Sequence, residues 1–105
     1  MPERLPFGTM IRRQRESAQL GLRELARRVG MSPTYLSKVE NDQFRPPAEG
    51  KLVAIAMELK LDPDVVMAQA GRVPADLMET LRRNPVEMVA LIRTARRLAR
   101  ATHGK

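Results

Sequence analysis

The chain has 105 residues, of which 43% are hydrophobic and only 3% aromatic, so we expect one compact domain of packed helices and not a β-sandwich. With no cysteine and one histidine, it lacks the ligands for a disulfide framework or a zinc site, and we expect no metal and no cofactor. A net charge of +7 suits a polyanionic partner, although 15 of the 19 basic residues are arginine, a bias that a GC-rich genome also produces.

The first predicted helix follows an irregular arm at residues 1–6. In this arm Arg4 could reach a phosphate, but a disordered terminus is the interpretation that we favour. The helix should run from about Phe7 or Thr9 to Gln19. Its predicted buried stripe consists of Phe7, Ile11, Gln14 and Ala18, with Met10 beside it.

Residues 22–39, LRELARRVGMSPTYLSKV, contain two apolar series separated by Gly30. The first predicts a helix over residues 22–29, and Ser32 followed by Pro33 gives an N-cap and a preset φ for the second. The apolar positions of the pair are Leu25, Ala26, Val29, Leu36 and Val39. Two short helices joined by a tight turn are typical of a helix-turn-helix that docks in a DNA groove.

The exposed side of the second helix of this pair carries polar groups that can contact base edges. A lysine donates to guanine, and a threonine offers a hydroxyl and a methyl group. The predicted base-reading residues are Pro33, Thr34, Ser37 and Lys38. Because no Gln or Asn lies near the helix start, we expect modest direct readout supplemented by DNA shape. The alternative is that these are ordinary exposed polar residues.

The next segment, NDQFRPPAEG, is predicted to be a loop in which Arg45 holds a phosphate and Phe44 packs back onto the domain. Helix 4 should span about residues 49–59 and bury Leu52, Ile55, Ala56 and Leu59. Helix 5 should begin at Asp62-Pro63, bury Val66 and Ala70, and end at Gly71. The acidic groups of this region make it a poor DNA-facing surface.

The run GLRELARRVGMSPTYLSKVEN, followed by RPP and by KLVAIAMELKLDPD, resembles the Xre or phage-repressor-like helix-turn-helix family over about residues 7–70. The resemblance implies an all-α, five-helix lambda-repressor-like DNA-binding domain whose third helix enters the major groove. It also implies a buried ion pair between Arg15 and Glu40. Two residues depart from the family pattern, because Leu22 replaces a polar phosphate clamp and Asp42 replaces a common glycine.

Without this side-chain clamp, we expect phosphates to be bound by other side chains and by backbone amides at the start of the helix predicted over residues 22–29. For Tyr35 two interpretations stay open, a hydroxyl on phosphate or a ring packed across the turn. The predicted phosphate contacts are Arg12, Arg13, Tyr35, Asn41 and Arg45.

Beyond residue 71 the pattern predicts two further helices, the first burying Leu77, Met78 and Leu81 and the second starting at Asn84-Pro85. We expect a DNA-binding domain at 1–71, with its helix-turn-helix at about 22–41, and a helical extension at 72–105. The extension either pads the core or forms a homodimer interface, the interpretation we favour. The predicted interface residues are Met88, Leu91, Ile92, Ala95 and Leu98.

These patterns favour a sequence-specific double-stranded DNA-binding regulator, most simply a repressor that binds an inverted-repeat operator as a homodimer. The alternative is an antitoxin-type regulator whose C-terminal helices bind another protein. An enzyme ranks last, because the sequence lacks a phosphate loop and paired carboxylates. No apolar run approaches the roughly 18 residues of a membrane span, and no signal peptide opens the chain, so we expect a cytoplasmic bacterial protein that joins the nucleoid when bound to DNA.

Overall fold

The computed structural model describes residues 5–103, and every regular element in that range is an α-helix. The helices in chain order are α1 (Phe7–Ser17), α2 (Leu22–Val29), α3 (Pro33–Glu40), α4 (Glu49–Glu58), α5 (Pro63–Gln69), α6 (Ala75–Arg83) and α7 (Pro85–His103). The predicted all-α fold, five helices followed by two more, is confirmed. Arg4 of the predicted arm lies outside the described residues.

The helices belong to two compact units, one formed by residues 5–72 and the other by residues 73–103. The first contains α1 to α5 and holds the buried core. Its buried hydrophobic residues are Met10, Ile11, Leu25, Ala26, Val29, Met31, Leu36, Val39, Leu52, Ile55, Ala56, Leu59, Val66 and Met67. All four residues predicted to be buried around helix 4 are in this core, whereas Ala70 of the predicted α5 pair is only half-buried.

The predicted stripe of α1 is wrong at two positions, because Gln14 and Ala18 are exposed. The row that packs inward consists of Gly8 and Ile11, which are buried, and Arg15, which bonds to α3. Gly8 lies so close to the end of α3 that a Cβ there would stand 2.0 Å from the Val39 carbonyl oxygen. This close approach holds the N-terminal half of α1 against α3, whereas Ala18 lies beyond the last residue of the helix.

All five helices of the first unit end in the same way, with a residue in the left-handed conformation. The next amide reaches back to a carbonyl of the last turn, as Leu20 N does to Arg15 O and Leu61 N to Ala56 O. These terminating residues are Gln19, Gly30, Asp42, Lys60 and Gly71, with φ between 56° and 81°. The three that are not glycine carry a backbone cost that glycine avoids.

The second unit consists of α6 packed on α7. The predicted burial of Leu77, Met78 and Leu81 is wrong: Leu77 is 49% exposed and the other two are half-buried. Two helices can cover only one side of each other, so an apolar stripe in such a pair stays partly open to solvent. Within the described residues, neither α7 nor any shorter helix has the length and apolarity that crossing a membrane requires.

Candidate nucleic-acid interface

The α2–turn–α3 element is held by its own caps. The Ser32 hydroxyl accepts a hydrogen bond from the Tyr35 amide at 3.0 Å, and Pro33 occupies the first helical position. Gly30 ends α2 with φ 71°. These are the caps that the sequence predicts, and they fix where α3 begins.

A lysine from α4 also fastens the turn. Lys51 Nζ donates to the carbonyl oxygens of Val29 and Gly30, each at 3.0 Å. These carbonyls lie at the negative end of the α2 dipole, where a cation is stabilising. Sequence reasoning missed this contact because it joins residues 21 and 22 positions apart.

Arg15 of α1 and Glu40 of α3 form a two-pronged ion pair. Arg15 Nε donates to Glu40 Oε2 at 2.8 Å and its Nη2 to Oε1 at 3.0 Å, while Nη1 donates to the Leu20 carbonyl at 2.8 Å. The two side chains are 12% and 3% exposed. The hydrogen bonds to Glu40 raise the pKa of Arg15 above its ordinary value despite burial. Arg15 therefore stays charged, and the pair ties α1 to the end of α3.

The four predicted base-reading residues line one groove, which we name the α2–α3 groove. It has a volume of about 370 Å³ and runs between the start of α2 and the outer face of α3. Its lining residues are Leu22, Arg23, Pro33, Thr34, Ser37, Lys38 and Gln43. Thr34 is exposed, and Pro33, Ser37 and Lys38 are half-buried. The groove thus offers hydroxyl, ammonium and apolar groups on one surface.

Arg23 and Gln43 are groove residues that sequence reasoning did not single out. Arg23 lies in the first turn of α2, next to the unusual Leu22, and Gln43 lies beyond the end of α3. Helical spacing could not place Gln43, because the left-handed Asp42 redirects the chain just before it. Both carry side chains suited to base edges: arginine to guanine and glutamine to adenine.

The predicted phosphate contacts fall into two groups. Arg12 Nη1 donates to Asn41 Oδ1 at 3.3 Å, and Asn41 Nδ2 donates to Ser37 Oγ at 3.4 Å, so these residues are linked to each other and to the groove. Arg13 and Arg45 are exposed. Within the described residues, neither forms a hydrogen bond or an ion pair with another residue that we predict to contact phosphate.

Asp42 is oriented by α1. Its Oδ1 accepts from the Gly8 amide at 2.7 Å and its Oδ2 from the Thr9 hydroxyl at 3.0 Å, so it caps the N-terminus of α1 from outside that helix. Asp42 has φ 58°, which explains why glycine is common at this position in the family that the sequence resembles. Its carboxylate is thus held by α1.

The predicted packing of Phe44 onto the domain is only partly right, because its ring meets α3 but 47% of the residue is exposed. Its ring lies 5.8 Å from the Tyr35 ring at an interplanar angle of 46°, and Lys38 Nζ lies 5.6 Å from its centroid. The Tyr35 ring also packs against the core, which is one of the two interpretations that the sequence left open.

The outer face of α2 carries a charged network that reaches α4. Glu24 accepts hydrogen bonds from Arg28 and Arg27, and Arg28 also contacts Glu58 at 3.3 Å. Hydrogen bonds from Arg28 first, and from Arg27 second, lower the pKa of Glu24 below its usual value. The hydrogen bond to Glu24 likewise raises the pKa of Arg28.

The predicted interface residues of α7 are mainly exposed. Leu91, Ile92 and Leu98 are 60%, 58% and 64% exposed, Ala95 is exposed, and Met88 is half-buried. The described residues contain no cluster of His, Cys, Asp and Glu that could hold a metal ion.

Comparison with known proteins identifies the first unit. Residues 8–72 match the model of the helix-turn-helix domain family. The chain belongs to this family of DNA-binding regulators, which is not an enzyme family. An uncharacterized HTH-type transcriptional regulator of Mycobacterium tuberculosis is 42% identical over 64 residues, a match covering 61% of this chain and 45% of that protein. The chain thus spans less than half the length of that relative.

Solved structures share the fold. The biofilm regulator SinR in complex with DNA superposes with a TM-score of 0.54 and 24% identity, covering 58% of this chain and 97% of that one. The clp gene regulator ClgR of Corynebacterium glutamicum superposes with a TM-score of 0.56 and 22% identity, covering 99% and 100%. At this level of identity the likeness concerns the fold.

Proposed function

We propose that this protein is a sequence-specific transcriptional repressor that binds an inverted-repeat operator as a homodimer, with α3 in the major groove. The observation that carries the proposal is the α2–α3 groove, where Thr34, Ser37 and Lys38 of α3 meet Arg23 of α2 on one open surface. A major groove about 12 Å wide admits one helix, and these groups match what base edges offer.

Backbone contacts complete this surface. Arg12 is hydrogen-bonded to Asn41, and Asn41 to Ser37, which lines the groove. The exposed Arg45 lies in the loop that follows α3. Leu22 offers no side-chain hydrogen bond, and the backbone amides of the first turn of α2 can donate to phosphate in its place. Phosphate contacts fix the position of α3 on the duplex and carry no sequence information.

Dimerisation follows from the size of the reading surface. One module of this kind contacts few base pairs, and a two-fold operator requires a two-fold protein. The stripe of α7 that contains Leu91, Ile92 and Leu98 supplies apolar area for a second copy. A dimer lying across two half-sites, one helical turn apart, would block a promoter by occupancy alone.

Selection of bound duplexes from a random pool tests the DNA-binding part. We expect a two-fold symmetric motif. Lys38→Ala or Thr34→Ala should relax discrimination at particular base pairs by about 1–3 kcal/mol, whereas Arg45→Ala should weaken all sequences alike and flatten the salt dependence. Equal losses on selected and random DNA for Lys38→Ala would contradict base reading by that residue.

Sedimentation of α7 variants tests the dimer. Leu91→Glu with Ile92→Glu should give a folded monomer, because a charge buried in an apolar interface is costly. Val86→Glu is the matched control, since Val86 is 78% exposed and lies on another face of the same helix. A double variant that still sediments as a dimer would place the interface elsewhere. A wild-type monomer that binds a different protein through this stripe would favour the antitoxin-type alternative.

A further inference from the structure

Phe44 forms an aromatic and cationic cluster with Lys38 and Tyr35 at the end of α3. The centroid of its ring lies 5.6 Å from the Lys38 ammonium and 5.8 Å from the centroid of the Tyr35 ring. Nearly half of the Phe44 side chain is exposed, which is unusual for a phenylalanine that has a helix to pack against. Packing alone does not account for a ring placed in this way.

The backbone fixes the position of that ring. The Gln43 and Phe44 amides both donate to the Lys38 carbonyl, at 2.9 Å and 3.3 Å, so the loop turns back onto the residue whose side chain the ring meets. Asp42 makes this turn with φ 58°, and its carboxylate is held by the Gly8 amide. Phe44 is therefore presented by a braced turn and not by a free loop.

Lys38 needs such a support if it reads bases. A lysine side chain is a point charge on a flexible four-carbon stem, and ordering it opposes binding. A ring face within about 6 Å attracts the ammonium and leaves its N–H donors available. The attraction strengthens when water is excluded, as it is when DNA covers the groove.

We propose that Phe44 is a positioning residue, which holds the Lys38 ammonium over its ring and aims it at one base pair of the bound duplex. This inference rests on the proposed DNA-binding function. It makes Phe44, a loop residue whose side chain has no hydrogen-bonding group, a determinant of sequence specificity through Lys38. A purely structural role would instead lower stability and weaken binding to all sequences alike.

The test compares full-length variants by sequencing the duplexes that each binds, at each of two salt concentrations, from a pool with about 20 random base pairs, enough for two half-sites. The variants are Phe44→Leu, Phe44→Tyr, Lys38→Ala and the double variant Phe44→Leu with Lys38→Ala. Urea unfolding of each variant checks that the fold is intact. Phe44→Tyr is the matched control, because it keeps the ring.

We expect Phe44→Leu to reduce discrimination about two- to fivefold at the same base pair that Lys38→Ala affects, and Phe44→Tyr to retain it. The double variant should discriminate no worse at that position than Lys38→Ala alone. Binding of Phe44→Leu to unselected DNA and its salt dependence should equal those of the wild type.

Three results would overturn the inference while leaving the proposed function intact. The first is that Phe44→Leu discriminates as well as the wild type. The second is that it relaxes a different base pair from Lys38→Ala, which would make Phe44 a direct contact. The third is that it weakens binding to all sequences equally. If the wild-type protein selects no motif, the proposed function fails and the inference fails with it.

Discussion

The two units of this chain are built from helices with similar amphipathic patterns, yet only one of them has a buried core. In residues 5–72 the apolar faces of five helices meet, and Leu25, Leu52 and Ile55 are fully enclosed. In residues 73–103 the stripe of α7 is as regular, but Ile92 remains 58% exposed. The periodicity of apolar residues therefore identifies a helix face that can be buried. Whether that face is buried depends on how many helices pack around it.

Polar contacts differ between the units in the same way. In the first unit they join distant parts of the chain, as Arg15 does with Glu40, Lys51 with Val29, and Arg72 with the Pro46 carbonyl at 3.0 Å. In the second unit the hydrogen bonds between side chains stay within one turn, as Arg83 with Glu79 and Arg97 with Thr94. Tertiary restraint is thus concentrated in the unit that carries the proposed DNA-binding surface.

Among the substitutions that test this difference between the units, Arg15→Ala should change the free energy of unfolding most. Arg15→Ala should lower the free energy of unfolding by about 3–5 kcal/mol, because it leaves the Glu40 carboxylate buried without its partner. Arg83→Ala, which breaks the exposed pair with Glu79 on α6, should change it by less than about 0.5 kcal/mol. Urea titration at low salt measures both. Equal effects of the two substitutions would contradict the contrast.

A matched pair of isoleucines compares the two apolar faces. Ile55→Ala should cost about 2–5 kcal/mol, since Ile55 is fully buried in the first unit and its truncation leaves a cavity. Ile92→Ala should cost less than about 0.5 kcal/mol in dilute protein. If the protein dimerises through α7, the loss of unfolding free energy caused by Ile92→Ala should grow with protein concentration. Urea unfolding over a concentration series distinguishes a solvated stripe from an interface.

Much of the first unit could be predicted from the sequence, because its signals are local. Ser32-Pro33 marks the start of α3, Gly30 marks the end of α2, and the regular apolar spacing identifies the residues buried around helix 4. What could not be predicted depends on residues brought together by folding. The position of Gln43 in the groove and the exposure of Phe44 both follow from the turn at Asp42.

Asp42 itself gives the next prediction, since it combines a backbone cost with a cap on α1. Asp42→Ala should destabilise by about 1–2 kcal/mol, chiefly through loss of the cap, because the wild-type residue already carries the strain of a Cβ at φ 58°. Asp42→Gly loses the cap but relieves the strain, so its cost should be about 1 kcal/mol or less. Urea unfolding of the two variants separates these contributions. If the glycine variant were as unstable as the alanine variant, strain would have no part.

The smallest effect concerns Glu24, whose network joins α2 to α4 through Arg28 and Glu58. Hydrogen bonds from Arg28, then Arg27, lower the pKa of Glu24 from its usual 4.5. A carboxyl with a lowered pKa in the folded state contributes stability that is fully present above pH 4.5 and is lost as the pH falls through the lowered value.

Glu24→Gln should therefore be less stable than the wild type at pH 7, and the difference should shrink below pH 4.5 in thermal unfolding experiments. About 1 M salt should reduce the difference at pH 7, because these charges are exposed to solvent and screened. A difference that stayed constant from pH 7 to pH 3 would mean that Glu24 acts through packing. The charged network would then contribute nothing to the tertiary restraint that distinguishes the first unit from α6 and α7.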